Sequence, residues 1–426
     1  MSLGIPAAIF AGLLGVPIFL VLAAMAFMAF AAAGIDSTAI AIEMTRLSSA
    51  PLLVAIPLFT FAGTMFAEAG TARRLVRVSR ELLGWMPGGL AYVVLATCAI
   101  FTAFTGASGV TIVALGGLLL PALLHAGYPE RFSLGLVTTT GSLGLLFPPS
   151  LPILIYAYVA QVPLDDLFLA GVVPGVLLII LLGLYAARTS RRAGIATQPF
   201  RWKGAVAALR EAIWEVPLPF VVLGGIYSGK ITVTEAASLT ALYAIVVEVI
   251  LYRDIPLRRI PEITQKSMAL VAGILLIVAT AFGFTNYLID AEIPMRLLDW
   301  MQGAFTSKWT FLLVLNVFLL VVSALLDVFS SLIVVLPLIV PIATAYEVNL
   351  VHLGIIFLTN LEIGYSMPPL GLNLFIASLR FRRSIVELTR VSLPFVGILA
   401  FALALITYIP SLSLFLVRAL GKGATP

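Results

Sequence analysis

Charge, cysteine and histidine are all scarce in this sequence, and each scarcity closes off a class of function. Only 11% of the 426 residues are Asp, Glu, Lys or Arg, where a soluble domain carries about 25%. With 61% hydrophobic residues, a water-soluble fold is excluded. The single cysteine, Cys98, lies inside an apolar run, so no disulfide framework or cysteine metal cluster is available. The two histidines, His125 and His352, sit beside loops in different halves of the chain, which removes paired imidazole ligands and most histidine-based catalysis. No phosphate-cradling GxxxxGK[ST] loop occurs, so the chain does not itself use a nucleotide. An intramembrane hydrolase also lacks its parts. Ser108 has no neighbouring histidine and Asp327 no second aspartate in a matching motif, so no enzymatic role is expected.

Long apolar runs are what the sequence has in abundance. Ile5–Ala33, Phe168–Ala187 and Phe395–Ile409 are examples, near the roughly 20 residues that span a bilayer. Such runs recur often enough for about a dozen membrane segments in an all-α polytopic protein. The N-terminal MSLGIPAAIF has no basic stretch and no small-residue cleavage site. It reads as the start of a spanning helix, not as a cleaved signal.

The net charge of +5 is a topology signal and not a sign of a nucleic-acid partner. Of the 25 Lys and Arg residues, 19 fall in segments 71–88, 124–131, 188–215, 253–266 and 379–390. The segments between them carry Asp36, Glu43, Asp165, Asp166, Glu235, Asp290, Glu292, Asp299 and Glu347. Positive-inside bias makes the first set cytoplasmic and the second external. Arg418 and Lys422 fit this scheme poorly if the C-terminus is external, and its side stays open.

The chain resembles itself at a constant offset of 220 residues. Gly4 pairs with Gly224, Gly63 with Gly283, Pro121 with Pro341 and Gly144 with Gly364. Pro148-Pro149 pairs with Pro368-Pro369, and Pro174 with Pro394. These residues set backbone geometry, so their register marks a duplicated fold. The loop charges differ between mates: 71–88 is basic while 291–308 is mixed, and acidic 161–167 corresponds to a loop opening Phe381-Arg382-Arg383. The halves are therefore an inverted-topology repeat, a plan typical of secondary transporters. The first repeat covers residues 1–200, with an arm helix at 71–88, a re-entrant hairpin near 90–123 and a broken helix near 131–160. A cytoplasmic linker follows at 201–216. The second repeat covers 217–426, with an arm at 291–308, a hairpin near 310–345 and a broken helix near 350–378.

The arms are amphipathic. Leu75, Val78, Leu82 and Trp85 form one stripe, with Met295, Leu298 and Phe305 as its counterpart, which suits helices lying along a membrane surface. After each arm comes an apolar stretch with a small or polar centre: Gly106-Ala107-Ser108-Gly109 in the first half, Leu326-Asp327 in the second. Two half-helices meeting at a tight turn there would form a hairpin that dips into the protein. Next, each half pairs a glycine with a Pro-Pro, at Gly144 and Pro148-Pro149 and at Gly364 and Pro368-Pro369. Prolines in mid-span break the helix. The carbonyls they free, Gly144, Leu145 and Phe147 among them, would face a cation, and the following helix N-terminus an anion. Asp327 and Glu362 lie deep in apolar segments and are candidates for function, with no deep Lys or Arg beside them in sequence.

At these residues the sequence resembles the DctM family, the large membrane subunit of tripartite ATP-independent periplasmic (TRAP) transporters. The resemblance runs from residue 4 to residue 410. It is carried by PLFTFAGTMFAEAG at 57–70, the WMPGGLA stretch ending at Ala91, TGASG at 105–109 and GSLGLLFPPS at 141–150. ITVTEAASLTALY at 231–243 and NLEIGYSMPPLGLNLF at 360–375 complete it. The resemblance implies a multi-pass subunit of the bacterial inner membrane that imports organic acids, usually carboxylates, on a sodium gradient by an elevator movement. The implied partners are a small four-helix membrane subunit and a periplasmic substrate-binding protein, with sodium as coupling ion and no other cofactor. Carried over residue by residue, one sodium site uses Gly106, Ser108, Gly141 and Gly144. The other uses Leu326, Asp327, Asn360, Gly364 and Met367. The substrate region takes Thr105, Pro148, Pro149, Ser150, Pro368, Pro369 and Asn373. The chain departs from the family pattern at Ala107, at Leu325-Leu326 where Gly-Met is usual, at Met367 where Thr is common, and at Glu362. A stand-alone ion-coupled carboxylate carrier with similar paired hairpins is the alternative. In either case the scarcity of deep cations suggests an anion held by helix N-termini and polar groups without an arginine.

Overall fold

The structure is a computed structural model that describes residues 10, 16, 18–34, 38, 51–195, 199–305, 307–369 and 371–420. Every regular element among these is helical. The start of the first apolar run, the external segment around Glu43 and the C-terminal Lys422 lie outside the described residues. In the first half the helices are α1 (Ile18–Ala33), α2 (Pro51–Glu68), α3 (Thr71–Leu83), α4 (Gly89–Thr105), α5 (Ser108–His125) and α6 (Glu130–Thr139). A 3-10 turn at Thr140–Leu146 leads on to α7 (Leu151–Ala160) and α8 (Leu164–Arg192). The linker carries α9 (Trp202–Glu211). The second half holds α10 (Leu218–Tyr227), α11 (Val233–Ile245), α12 (Ile260–Asp290), α13 (Ile293–Ala304), α14 (Lys308–Leu325) and α15 (Val328–Ala345). It closes with α16 (Leu350–Gly364), α17 (Leu372–Phe381), α18 (Ile385–Tyr408) and α19 (Ser411–Leu420). Seven helices among the described residues are long and apolar enough to cross a membrane, or nine if two bent pairs each count as one span.

Local chemistry sets many of the ends. The long α8 opens with Asp165 and Asp166 and closes with Arg191 and Arg192, each charge opposing the helix dipole at its end. Thr232 and Glu235 form a reciprocal capping box at α11. Asn349 accepts from the Val351 and His352 amides to start α16.

The repeat register reappears in space. Helix α5 begins at residue 108 and α15 at 328, α6 at 130 and α16 at 350. Cross-contacts come in mated pairs: α2 packs on α11 as α12 packs on α1, and α7 packs on α15 as α17 packs on α5. At the centre the Ser142 hydroxyl donates to the Glu362 carbonyl at 3.3 Å. These two residues are themselves mates, so they mark the pseudo-twofold axis.

Contacts between chain ends define two opposite faces. Gly84, Gly88, His125, Tyr128, Ser190 and Ile195 surround one small cavity, so the start of α4, the end of α5 and the end of α8 share a face. Arg383 pairs with Glu130 near the same face. On the other face, the Tyr346 hydroxyl donates to the Phe305 carbonyl at 2.6 Å, the Tyr156 hydroxyl to Leu350 at 2.7 Å and the Tyr408 hydroxyl to Trp309 at 3.4 Å. Helices α4 and α5 thus enter and return on the first face, and α14 and α15 on the second. The mates α8 and α18 cross in opposite directions. The first face carries most of the basic segments, the side expected to be cytoplasmic from the positive-inside rule.

The arms differ from their sequence pattern in detail. Helix α3 turns away from α2 by 74°. It ends at Leu83, so Leu75 and Val78 are buried while Leu82 and Trp85 are exposed. Its one buried charge is Arg74, held by Glu215, by Glu248 at 3.0 Å and by Asp254 at 2.7 Å. Tyr252 lies 3.8 Å from the guanidinium carbon. Burial opposes the charge on Arg74, and the hydrogen bond to Asp254 with the carboxylates of Glu215 and Glu248 outweighs it, leaving its pKa raised. In α13, Leu298 is buried and Met295 exposed.

Candidate functional site

The two hairpin tips line one cavity of about 970 Å³. Gly106, Ala107, Ser108 and Gly109 come from the first tip and Asp327, Val328 and Phe329 from the second. Leu145, Pro152 and Tyr365 come from the broken helices, and Ala67, Glu68 and Leu270 from α2 and α12. From the tips the cavity runs towards Glu68 and Arg380.

At the first tip, α4 ends on Gly106 in the left-handed region, φ 64°, with its N–H on the Thr102 carbonyl at 2.8 Å. A side chain at Gly106 would be strained there and would also press on Leu151. Ala107 is extended and α5 starts at Ser108 with no side-chain cap. The hydroxyls of Thr105 and Ser108 are buried, Ser108 being 2% exposed, and neither has a hydrogen-bond partner in the protein. Unpartnered buried oxygens are costly unless something bonds them. Gly141 packs here too: a Cβ on it would lie 3.3 Å from the Ser108 carbonyl. Thr102 donates to the Gly141 carbonyl at 2.8 Å.

One expectation about the break in the first half is corrected. The chain before Pro148-Pro149 does not unwind; it tightens into the 3-10 turn, and the Gly144 carbonyl accepts the Phe147 amide at 3.1 Å. Gly144 itself is a packing residue. A Cβ there would overlap the Ala99 carbonyl and the Ala103 amide of α4. Its lack of a side chain thus serves close helix approach. Pro148, Pro149 and Ser150 are buried behind the turn, and the Ser150 hydroxyl is unpartnered.

The second tip is built otherwise. Leu326 and Asp327 are both extended, with φ of −116° and −71°. No left-handed residue is needed, which is why no glycine stands there. The Asp327 carboxylate accepts the Phe329 and Ser330 amides at 2.9 and 3.2 Å and the Ser330 hydroxyl. It is an N-cap for α15 as well as a cavity residue. Asn360 donates to Asn316 at 2.8 Å and leaves its own side-chain oxygen unpartnered. Ser323 donates to the Asn360 carbonyl at 3.1 Å and fills the space beside Gly364. The Met367 amide bonds the Gly364 carbonyl at 3.0 Å. Tyr365 receives the Val328 amide at 3.1 Å, tying tip to broken helix. Pro368 and Pro369 are exposed, unlike their mates. Both Pro-Pro bonds are cis. Asn373 donates to Ser142 at 3.3 Å, next to the axis. Glu362 is fully buried and neither carboxylate oxygen has a partner.

One residue of the site was missed. Arg380, in a segment that reads from sequence as a cytoplasmic loop, lines the tip cavity and donates from Nε to the Val113 carbonyl at 3.1 Å. It puts one arginine on the wall of a cavity expected to have none nearby. No signal in the sequence separates Arg380 from its neighbours Arg382 and Arg383.

The model of the family described as "Tripartite ATP-independent periplasmic transporter, DctM component" matches residues 5–412. The C4-dicarboxylate TRAP transporter large permease protein of Rhodobacter capsulatus is 34% identical over 388 residues, covering 87% of each chain. The ectoine/5-hydroxyectoine large permease of Ruegeria pomeroyi is 31% identical, over 95% of each. An isethionate permease protein DctMQ of Oleidesulfovibrio alaskensis is 34% identical over 94% of this chain and 64% of its own. Among solved structures, the Alcanivorax borkumensis YdaH transporter superposes with a TM-score of 0.59 at 16% identity, over 84% of both chains, a likeness of fold.

Proposed function

The chain belongs to the DctM family of TRAP transporters, and from that membership we propose that it is the large permease of a sodium-driven, binding-protein-dependent importer of small organic acids. The observation that carries the reading is the shared cavity. Two inverted hairpin tips, each braced by a broken helix, converge on one space of about 970 Å³, and the first tip offers buried oxygens with no partner. A hard cation takes several such oxygens at once. Thr105 and Ser108 supply hydroxyls and the Gly106 turn supplies backbone, so these residues fit a sodium ion carried as co-substrate. At the second tip Asn360 supplies the free oxygen, while Asp327 is already committed to α15.

Alternating access then has the hairpins and broken helices move as a unit against α2 and α12, whose Ala67, Glu68 and Leu270 form the far cavity wall. A soluble periplasmic binding protein delivers the acid, and a small four-helix membrane subunit braces the wall. The family match along nearly the whole chain favours this three-part assembly over a stand-alone carrier.

The test is reconstitution. Proteoliposomes holding this chain and its small subunit should take up solute only with an inward sodium gradient and loaded binding protein. Robust uptake by the isolated chain would favour the stand-alone carrier. Uptake indifferent to sodium would overturn the coupling.

A further inference from the structure

Arg380 is the only cation lining the tip cavity among the described residues, and the protein holds it in place without neutralising it. Its Nε–H is spent on the Val113 carbonyl. Gly117 makes room for the guanidinium, since a Cβ there would overlap it. No carboxylate among the described residues lies within ion-pair distance of Arg380, whereas Arg383 nearby is paired with Glu130 and Glu387. The two carboxylates that share the cavity are engaged elsewhere. Glu68 binds Arg259 and Lys266 at 2.8 and 3.1 Å, and Asp327 caps α15. A guanidinium keeps a fork of terminal N–H donors matched to a carboxylate.

Distance and wall chemistry narrow the ligand. Val113 stands five residues along α5 from Ser108, roughly 8 Å at the helical rise. The wall between them is apolar, formed by Val110, Ala114, Leu145 and Ile376. An acid with its carboxylate on Arg380 would lay an apolar body along that wall and end at the first tip. A second carboxylate at that end would find no cationic side chain among the described residues, and a charge desolvated without a partner is costly.

We propose that Arg380 is the anion anchor of the tip cavity and that it selects organic acids with a single carboxylate and a largely apolar body. This deepens the importer reading and rests on it. One of the relatives named above is a C4-dicarboxylate permease, and the inference gives this chain a different preference.

Hexanoate and adipate, equal in carbon number and differing by one carboxylate, make the probe pair. Ligand-dependent thermal stabilisation of the purified permease with its small subunit, in sodium, reads binding without the binding protein's own selectivity. Hexanoate should stabilise the wild type at concentrations at least about tenfold below adipate, the scale of one charge-assisted hydrogen-bond pair. Arg380→Gln should weaken hexanoate by a similar factor and abolish the preference. Arg380→Lys should retain the preference in part. The exposed position of Arg380 makes both variants compatible with folding, and the unfolding midpoint without ligand checks this. No hexanoate shift in the wild type, equal shifts from both acids, or an unaltered preference in Arg380→Gln would overturn the proposal. Failure of the importer reading would show separately, as no uptake by the full reconstituted system.

Discussion

At the first hairpin tip the chain turns through a glycine of positive φ and leaves two buried hydroxyls unpartnered. At the second, an equivalent position in the repeat, it turns through two extended residues and closes the next helix with a carboxylate. The arms contrast as well. Arm α3 is pinned by Arg74 among three carboxylates, while α13 has Pro294 at the matching position and no ion pair among the described residues. Duplication fixed the backbone plan of both halves. Side chains then divided the work: the first tip leaves its own hydroxyls unpartnered, while the second tip spends its carboxylate on capping α15 and the free oxygens lie behind it, at Asn360 and Glu362. Equal backbones do not imply equal sites.

The sharpest way to break that contrast is to cut the first arm loose. Arg74→Met leaves Glu215 and Glu248 buried without their partner, and should cost about 3–5 kcal/mol, read as a lowered unfolding midpoint in detergent. Substitution of Arg296 on the second arm should leave the midpoint unmoved. The next test compares the tips directly. Ser108→Ala should raise the sodium concentration needed for half-maximal uptake about tenfold, the worth of one bond to a charged partner. Equal sodium dependence in this variant and the wild type would place the ion elsewhere. The smallest expected effect is at the second tip. Asp327→Asn keeps an N-cap side chain and should move stability by less than about 1 kcal/mol, with a smaller change in sodium dependence than Ser108→Ala. A larger effect of Asp327→Asn than of Ser108→Ala would reverse the ranking of the two tips.

Much of the architecture was legible because glycine and proline report backbone geometry directly. Gly106 turns the chain and the matched Pro-Pro pairs break helices, whereas Pro121, Pro174, Pro341 and Pro394 sit inside continuous ones. The second tip was harder to read because an extended turn needs no special residue. Gly144 looked like a site residue for the same reason that Gly106 did. Only the neighbouring backbone of α4 shows that it is small in order to let two helices approach. Arg74 and Arg380 were hidden differently. Both sit in basic segments whose overall charge tells which face they are on, but not which one arginine turns inward. That depends on carboxylates, or on a carbonyl, well over a hundred residues away along the chain. The family resemblance named residues that the fold gathers at and behind the two tips, and the departures at Ala107 and Leu326 mark where this chain's own chemistry begins.

The contact between Ser142 and the Glu362 carbonyl has a historical consequence. Positions on a twofold axis face their own copies, as in any isologous dimer. Had the two halves been separate identical chains, each would have set the same residue here against its own copy. In this chain the pair is a serine and a glutamate, joined through one hydroxyl and one main-chain carbonyl. A single joined gene can hold two different residues at one symmetric position, which a pair of identical chains cannot.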